Sequence, residues 1–202
     1  MSLKKLLTKS LKNMTNKKYN IIYADPPWSY DFGKSSAKFV GDKYPLMKKK
    51  DICNLGVNEI AEDNSVLFMW ATFPRIDWAL EVIKAWGFTY KTCAFTWVKK
   101  NKRTDSNFWG MGYYTRSNAE ICLLATKGKP LERKSKSVHQ IVESPIQKHS
   151  KKPDEVRKRI VELFGDISRI ELFARKPKDE LFNDSWKGWD VWGNEIKNDT
   201  EL

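Results

Sequence analysis

Histidine is almost missing from this 202-residue chain: His139 and His149 are its only two. Both fall in one basic stretch, which argues against a histidine general base or a hydrolytic triad. Cysteine is nearly as scarce. Cys53, Cys93 and Cys122 stand far apart, so they offer no metal-ligand spacing, and an odd number argues against a disulfide framework. A reducing cytoplasm fits. Neither a metal cluster nor a phosphate-binding glycine loop can be read from the sequence. The opening "MSLKKLLTKSLKNM" holds no apolar run longer than two residues, which suits neither a signal peptide nor a membrane span. Leu3, Leu6, Leu7 and Leu11 do follow helical spacing there, so a short amphipathic helix is expected. Internal repeats and linkers are missing too. The expected organisation is a basic extension over 1–18, one domain over 19–196 and a tail over 197–202.

What the chain has in excess is positive charge. Lys and Arg number 37 against 25 Asp and Glu, for a net charge of +12. That balance draws polyanions, nucleic acid first among them. The plain alternative is a lysine-rich protein with no such partner. At 41% hydrophobic and 31% charged, the composition is that of a globular domain large enough for a full core.

Strand-like and helix-like segments alternate along the chain. Residues 20–24, 65–71, 90–100, 119–126 and 168–175 read as strands. "MKKKDICNLGVNEIAED" carries broken helical spacing. In "PRIDWALEVIKAWG", Pro74 marks a helix start, Gly87 its stop, and Ile76, Leu80, Ile83 and Trp86 one face. "KPDEVRKRIVELFG" sets Val156, Ile160, Val161 and Phe164 on a second helical face, with Gly165 as the stop. Residues 101–118 and 127–150 read as loops, the latter as a mobile one. The segment ending "KGWDVWGNEI" reads as an aromatic, turn-rich tail. This alternation predicts an α/β fold: a mainly parallel sheet with helices on both faces. Ligands of such sheets sit at the carboxyl ends of the strands.

"YNIIYADPPWSY" places Asp25, Pro26, Pro27 and Trp28 at one such end. An adenine N6 amine is a weak nucleophile, because its lone pair is delocalised into the ring. Two fixed acceptors, one per N–H, would pull the nitrogen toward a tetrahedral geometry and aim the lone pair outward. The Asp25 carboxylate can be one acceptor and the Pro26 carbonyl the other, on a backbone stiffened by prolines. Trp28 offers a face on which an extruded base can stack. The reaction is then mainly one of positioning. The competing interpretation is a proline-rich turn beside a packed tryptophan.

"YADPPW" after a strand resembles the signature of the MT-A family of adenine-N6 methyltransferases. The similarity extends in order through "LFMWAT", "ALEVIKAWGF", "FTWVKK", "GMGYYTRSNAEICLLATKG", "HSKKPDEV", "IELFAR" and "GWDVWGNE", over about residues 19 to 196. In length it is most similar to the phage or bacterial type. The resemblance implies a Rossmann-like fold dependent on S-adenosyl-L-methionine, in a permuted order with the catalytic motif ahead of the donor-binding elements. It implies Asp25, Pro26, Pro27 and Trp28 as the catalytic motif, with Asp25 also beside the donor. Lys152 matches the lysine that meets the donor's carboxylate, and a cation joined by free amides at a helix start suits that group. Asn194 and Glu195 match the pair on the ribose hydroxyls. Arg175 matches an arginine near the ribose and methionine, and Glu120 an acid facing the target adenosine. The glycine-rich donor loop of many methyltransferases is missing, and Lys176, Pro177 and Lys178 replace polar residues of the eukaryotic type.

The nucleic acid is expected on basic and aromatic side chains. Lys99, Lys100, Lys102, Arg103 and Arg116 lie around Phe108, Trp109, Tyr113 and Tyr114, and suit phosphate contacts beside stacking surfaces. Further basic groups run over Lys127, Lys129, Arg133, Lys134 and Lys136, and over Lys148, Lys151 and Lys152. DNA is favoured over RNA, no membrane is involved, and related enzymes often pair, so a homodimer is expected. Three alternatives stay open: the same chemistry on RNA adenosine, the same chemistry on cytosine N4, and an inactive partner subunit that only binds nucleic acid.

Overall fold

The computed structural model describes residues 17–29, 46–147, 151–175 and 184–193. The expected N-terminal amphipathic helix lies outside them. Seven strands form one sheet: β1 (Tyr19–Ala24), β2 (Ala61–Ala71), β3 (Thr89–Lys100), β4 (Ala119–Lys127), β5 (Ile141–Pro145), β6 (Arg169–Leu172) and β7 (Asp190–Trp192), in spatial order β5-β3-β4-β2-β1-β6-β7. Parallel ladders join β1 to β2 and β6, β3 to β5, and β6 to β7. Only the two ladders of β4 are antiparallel. One reversed strand in a mainly parallel sheet is consistent with an S-adenosylmethionine-dependent methyltransferase fold.

Alternation along β1 shows how both faces are filled. Ile22 and Ala24 enter one core, shared with the helices α1 (Lys49–Cys53), α2 (Val57–Ile60) and α3 (Ile76–Ala85). Ile21 and Tyr23 enter the other, where α4 (Asp154–Phe164) inserts Val156, Ile160 and Phe164. Successive strand residues point to opposite faces, so a strand covered on both sides is apolar throughout. Gly87 and Gly165 follow the two long helices with φ of +80° and +83°, a conformation that stops a helix where a side chain would be strained.

Four expectations need correction. Residues 127–150 are not one mobile loop: Ile141–Pro145 is a strand whose Val142 is fully buried. The Arg159 guanidinium secures it by donating to the carbonyls of His139 and Ile141. The aromatic tail contributes β7, which closes the sheet beyond β6. The last strand ends at Leu172, not residue 175, because Phe173 turns left-handed at φ +60°. On α3 the buried face is Ala79, Val82 and Ile83, and Leu80 is exposed.

Candidate active site

Most chain segments around Asp25 are aimed there by a strand end. β1 pairs with β2 on one side and β6 on the other, and a crevice opens at its carboxyl end. Crevices of this kind are where open α/β sheets bind ligands. Asp25, Pro26, Pro27 and Trp28 line this one, with Trp70, Ala71 and Thr72 from β2 and the residue after it. Glu120 enters because β4 runs backwards: Ile121 lies opposite Ala71, which brings the beginning of β4 level with the ends of β1 and β2. Lys152 comes from the residues leading into α4, and Arg175 from the turn after β6. That turn is tight. A side chain on Gly193 would stand 2.5 Å from the Ala174 carbonyl, so a glycine lets the two segments close beside Arg175.

Charge is concentrated and ordered here. The Lys152 ammonium lies 2.7 Å from Asp25 Oδ2 and 3.3 Å from Glu120 Oε2. Lys99 donates to the other Glu120 oxygen at 2.5 Å. Four groups of alternating sign thus run Lys99, Glu120, Lys152, Asp25. Glu120 and Lys152 are each 8% exposed, whereas a third of the Asp25 side chain opens to the crevice. Burial pushes the Asp25 carboxyl above its ordinary range. Lys152 pulls against that rise, Glu120 adds to it and Arg175 opposes it. Burial would also raise Glu120, but Lys152 and Lys99 together hold it below the usual carboxylate range. Lys152 is held well above the usual lysine range, since Asp25 and Glu120 outweigh its own burial. A buried charge that is paired this way stays ionised.

The prolines hold the chain in a short turn. The Pro26 carbonyl accepts the Trp28 amide at 2.9 Å, and the Pro27 carbonyl accepts that of Met47 at 2.9 Å. A carbonyl has two lone pairs, so the one on Pro26 can take a second donor. Trp28 differs from the expected open platform. It is only 4% exposed, packs in the α3-side core, and donates its indole N–H to the Trp70 carbonyl at 3.1 Å. It lines the crevice as a fixed wall. Trp28 thus lies with the α3-side core, while Asp25 meets Lys152, which leads into α4.

The expected nucleic-acid residues divide. Lys99 is 17% exposed and tied to Glu120, which joins it to the site's charge chain. Residues 101–118 fold back as short hairpins, with bridges Lys100–Asn107 and Gly110–Ser117. Lys102, Arg103, Trp109, Tyr113 and Arg116 are all exposed on them. Trp109 is 73%, Tyr113 83% and Tyr114 93% exposed, an unusual display for aromatics. The hairpins sit between the end of β3 and the beginning of β4, at the crevice's edge of the sheet. Lys127 lies opposite Ser65, in the first half of β2, so the basic group beginning there lies toward the far end. The antiparallel sense of β4 puts about 20 Å of strand between that group and Asp25.

Asn194, Glu195, Lys148 and His149 lie outside the described residues. Trp70 and Thr72 had no assigned role in the sequence; their signal was their place at the end of a strand adjacent to β1. Among the described residues, no three or more metal-ligating side chains come together, and no helix is long and apolar enough to cross a membrane.

Comparison with known proteins matches this architecture along nearly its whole length. The chain is 36% identical to the type II methyltransferase M.MunI of Mycoplasma sp. over 201 residues, covering 91% of this chain and 80% of that protein. It is 26% identical to a probable N(6)-adenosine-methyltransferase MT-A70-like protein of rice, over 88% of this chain and 23% of that protein. It is also 26% identical to the human N(6)-adenosine-methyltransferase catalytic subunit METTL3, over 78% of this chain and 26% of that protein. The chain thus spans about a quarter of these eukaryotic relatives and most of the bacterial one. The MT-A70 family model matches residues 19–195, from the first residue of β1 past the end of β7, and the chain belongs to the MT-A70 family.

Proposed function

We propose that this chain transfers a methyl group from S-adenosyl-L-methionine to the N6 amine of adenine in DNA. The observation that carries the reading is the Asp25 carboxylate at the crevice's centre, fixed by Lys152 at 2.7 Å and followed by a proline turn. With Oδ2 engaged by the lysine, Oδ1 is the oxygen left for an amine N–H, and the Pro26 carbonyl supplies the second acceptor. Two acceptors at fixed positions orient the nitrogen's lone pair without a strong base. Trp28 and Trp70 wall the place where a flipped ring would sit.

The crevice suits the donor chemically. Arg175 and Lys152 offer cations to an amino-acid carboxylate, and Asp25 offers a negative neighbour to a sulfonium. Asn194 and Glu195 are assigned to the ribose hydroxyls by family resemblance. When bound, the donor supplies an electrophilic methyl group.

The substrate is read from the hairpins over 101–118. Lys102, Arg103 and Arg116 meet phosphates there, and Trp109 and Tyr113 stack against bases. DNA is favoured over RNA because the relative named a type II methyltransferase is matched over most of both chains, whereas the N(6)-adenosine-methyltransferase relatives are matched over about a quarter of theirs. Cytoplasm, where donor and nucleic acid occur together, is the assigned location. An inactive binding subunit is a poorer reading, since acid and tryptophan are both present.

Incubation with labelled donor and either DNA or RNA, followed by digestion to nucleosides, tests this. Label is expected on N6-methyldeoxyadenosine, and Asp25→Ala is expected to lose it. Label on cytosine or on a ribonucleoside would move the substrate assignment, and full turnover by Asp25→Ala would remove the mechanism.

A further inference from the structure

Lys99 stands three ion pairs away from Asp25, on a different strand, and its side chain points inward. Its amide donates to the Asn118 carbonyl, and its own carbonyl accepts the Phe108 amide. Its ammonium rests 5.2 Å from the centre of the Trp97 ring. A lysine fixed at both backbone groups and at its ammonium is ill suited to follow a phosphate. We propose that Lys99 is a positioning residue for methyl transfer, neutralising Glu120 so that Lys152 stays committed to Asp25. The proposal rests on the methyltransferase reading of the site given above.

The distances show what is at stake. Lys152 is nearer to Asp25, at 2.7 Å, than to Glu120, at 3.3 Å. Yet Glu120 is the more deeply buried acid, 8% exposed against 33%. A desolvated carboxylate draws a cation more strongly than a half-hydrated one. Lys152 can favour the more exposed acid because Glu120 already holds Lys99 at 2.5 Å. Without that second cation, Lys152 is drawn to Glu120. Asp25 then loses both its counter-charge and the hydrogen bond that fixes which oxygen faces the amine.

Other charged groups around Asp25 do not replace Lys99. Arg175 lowers its proton affinity from the β6 side, and Glu120 raises it. Glu171, also on β6, and the Cys122 thiol of β4 interact with it electrostatically as acids. Arg157 of α4 is occupied by Glu171 and Asp154. Loss of Lys99 therefore moves the Asp25 proton affinity upward, and the acid limb of activity follows it.

The test compares wild type, Lys99→Met, Lys99→Arg, Glu120→Gln and the Lys99→Met/Glu120→Gln double variant. Methyl transfer to duplex DNA is followed across pH, and DNA binding across salt. Lys99→Met should lower kcat by at least about tenfold and shift the acid limb to higher pH. The salt dependence of DNA binding should be unchanged, and Lys99→Arg should restore most of the turnover. In the Glu120→Gln background the same change should have little further effect, because the charge it balances is gone. Where Lys99→Met folds poorly, the double variant compared with Glu120→Gln still tests the proposal: a further large loss of kcat in that background would overturn it. A Lys99→Met enzyme with normal kcat and a salt slope reduced by about one would make Lys99 a phosphate contact and overturn the proposal. Independent, multiplying effects of Lys99→Met and Glu120→Gln would overturn it too. A wild-type enzyme that methylates no nucleic acid would instead remove the functional reading beneath it.

Discussion

Exchanging Asp25 for asparagine keeps the size of the side chain and one carbonyl-type acceptor while deleting the negative charge. The structure sets the scale of the effect. Asp25 lies 2.7 Å from Lys152 and is a third exposed in the crevice. Losing one preorganised electrostatic contact of this kind costs about 3–4 kcal/mol in the transition state, or about 10²–10³ in kcat. Folding should suffer far less. Burial raises the Asp25 carboxyl, and an acid raised in the folded state contributes stability at low pH that is lost as pH rises through its folded pKa. At neutral pH a neutral amide forfeits none of that contribution. Lys152 also keeps Glu120 at 3.3 Å, so the destabilisation should stay well under the about 3–5 kcal/mol seen when a buried ion is stripped of its partner. Labelled methyl transfer to duplex DNA and urea unfolding, run on the same preparations, measure both quantities. Wild-type turnover should fall on the acid side as Asp25 takes a proton, with a midpoint above the ordinary carboxylate range. That limb should vanish in Asp25→Asn. A folded Asp25→Asn enzyme within tenfold of wild-type kcat would refute the reasoning.

Glu171→Gln should lower the unfolding free energy by less than the about 3–5 kcal/mol seen when a buried charge loses its partner outright, since Arg157 keeps Asp154 at 2.7 Å. Arg157 donates to Glu171 from Nε at 2.5 Å and from Nη2 at 2.9 Å while 4% exposed; the urea midpoint reports it. Replacing Lys102, Arg103 and Arg116 singly by alanine should each reduce the slope of log affinity for DNA against log salt by about one, with no change in the urea midpoint. Trp109→Ala or Tyr113→Ala should weaken DNA binding by about 1–3 kcal/mol and leave stability untouched, because 73% and 83% of these side chains already lie in solvent.

The parts of the fold that sequence made legible are those whose pattern is local. In β1 the apolar run over 21–24 leads straight into Asp25, and the glycine stops at 87 and 165 fall where the helices end. β5 was hidden because its one buried anchor, Val142, sits among exposed and half-exposed neighbours in a basic segment. β7 was hidden because three residues carry no period, and its pairing with β6 is a tertiary fact. Leu80 and Val82 changed places on α3 because both fit an apolar stripe and only packing chooses its centre. In the site, Asp25 could be singled out from its neighbours in sequence. Lys99 could not, because a strand-end lysine reads as exposed until the partner strand's Glu120 is brought beside it. The direction of β4 decided that, and also removed the basic group beginning at Lys127 from the crevice.

That reversed strand also governs how this architecture can diversify. Joining parallel neighbours demands a long return path over a face of the sheet, whereas antiparallel neighbours need only a bend at one edge. β3 and β4 meet by such a bend, and everything between Lys100 and Ala119 projects from the rim without supporting the packed interior. Recognition elements can therefore be lengthened, shortened or exchanged at that rim as a cassette, while the chemistry below is inherited unaltered.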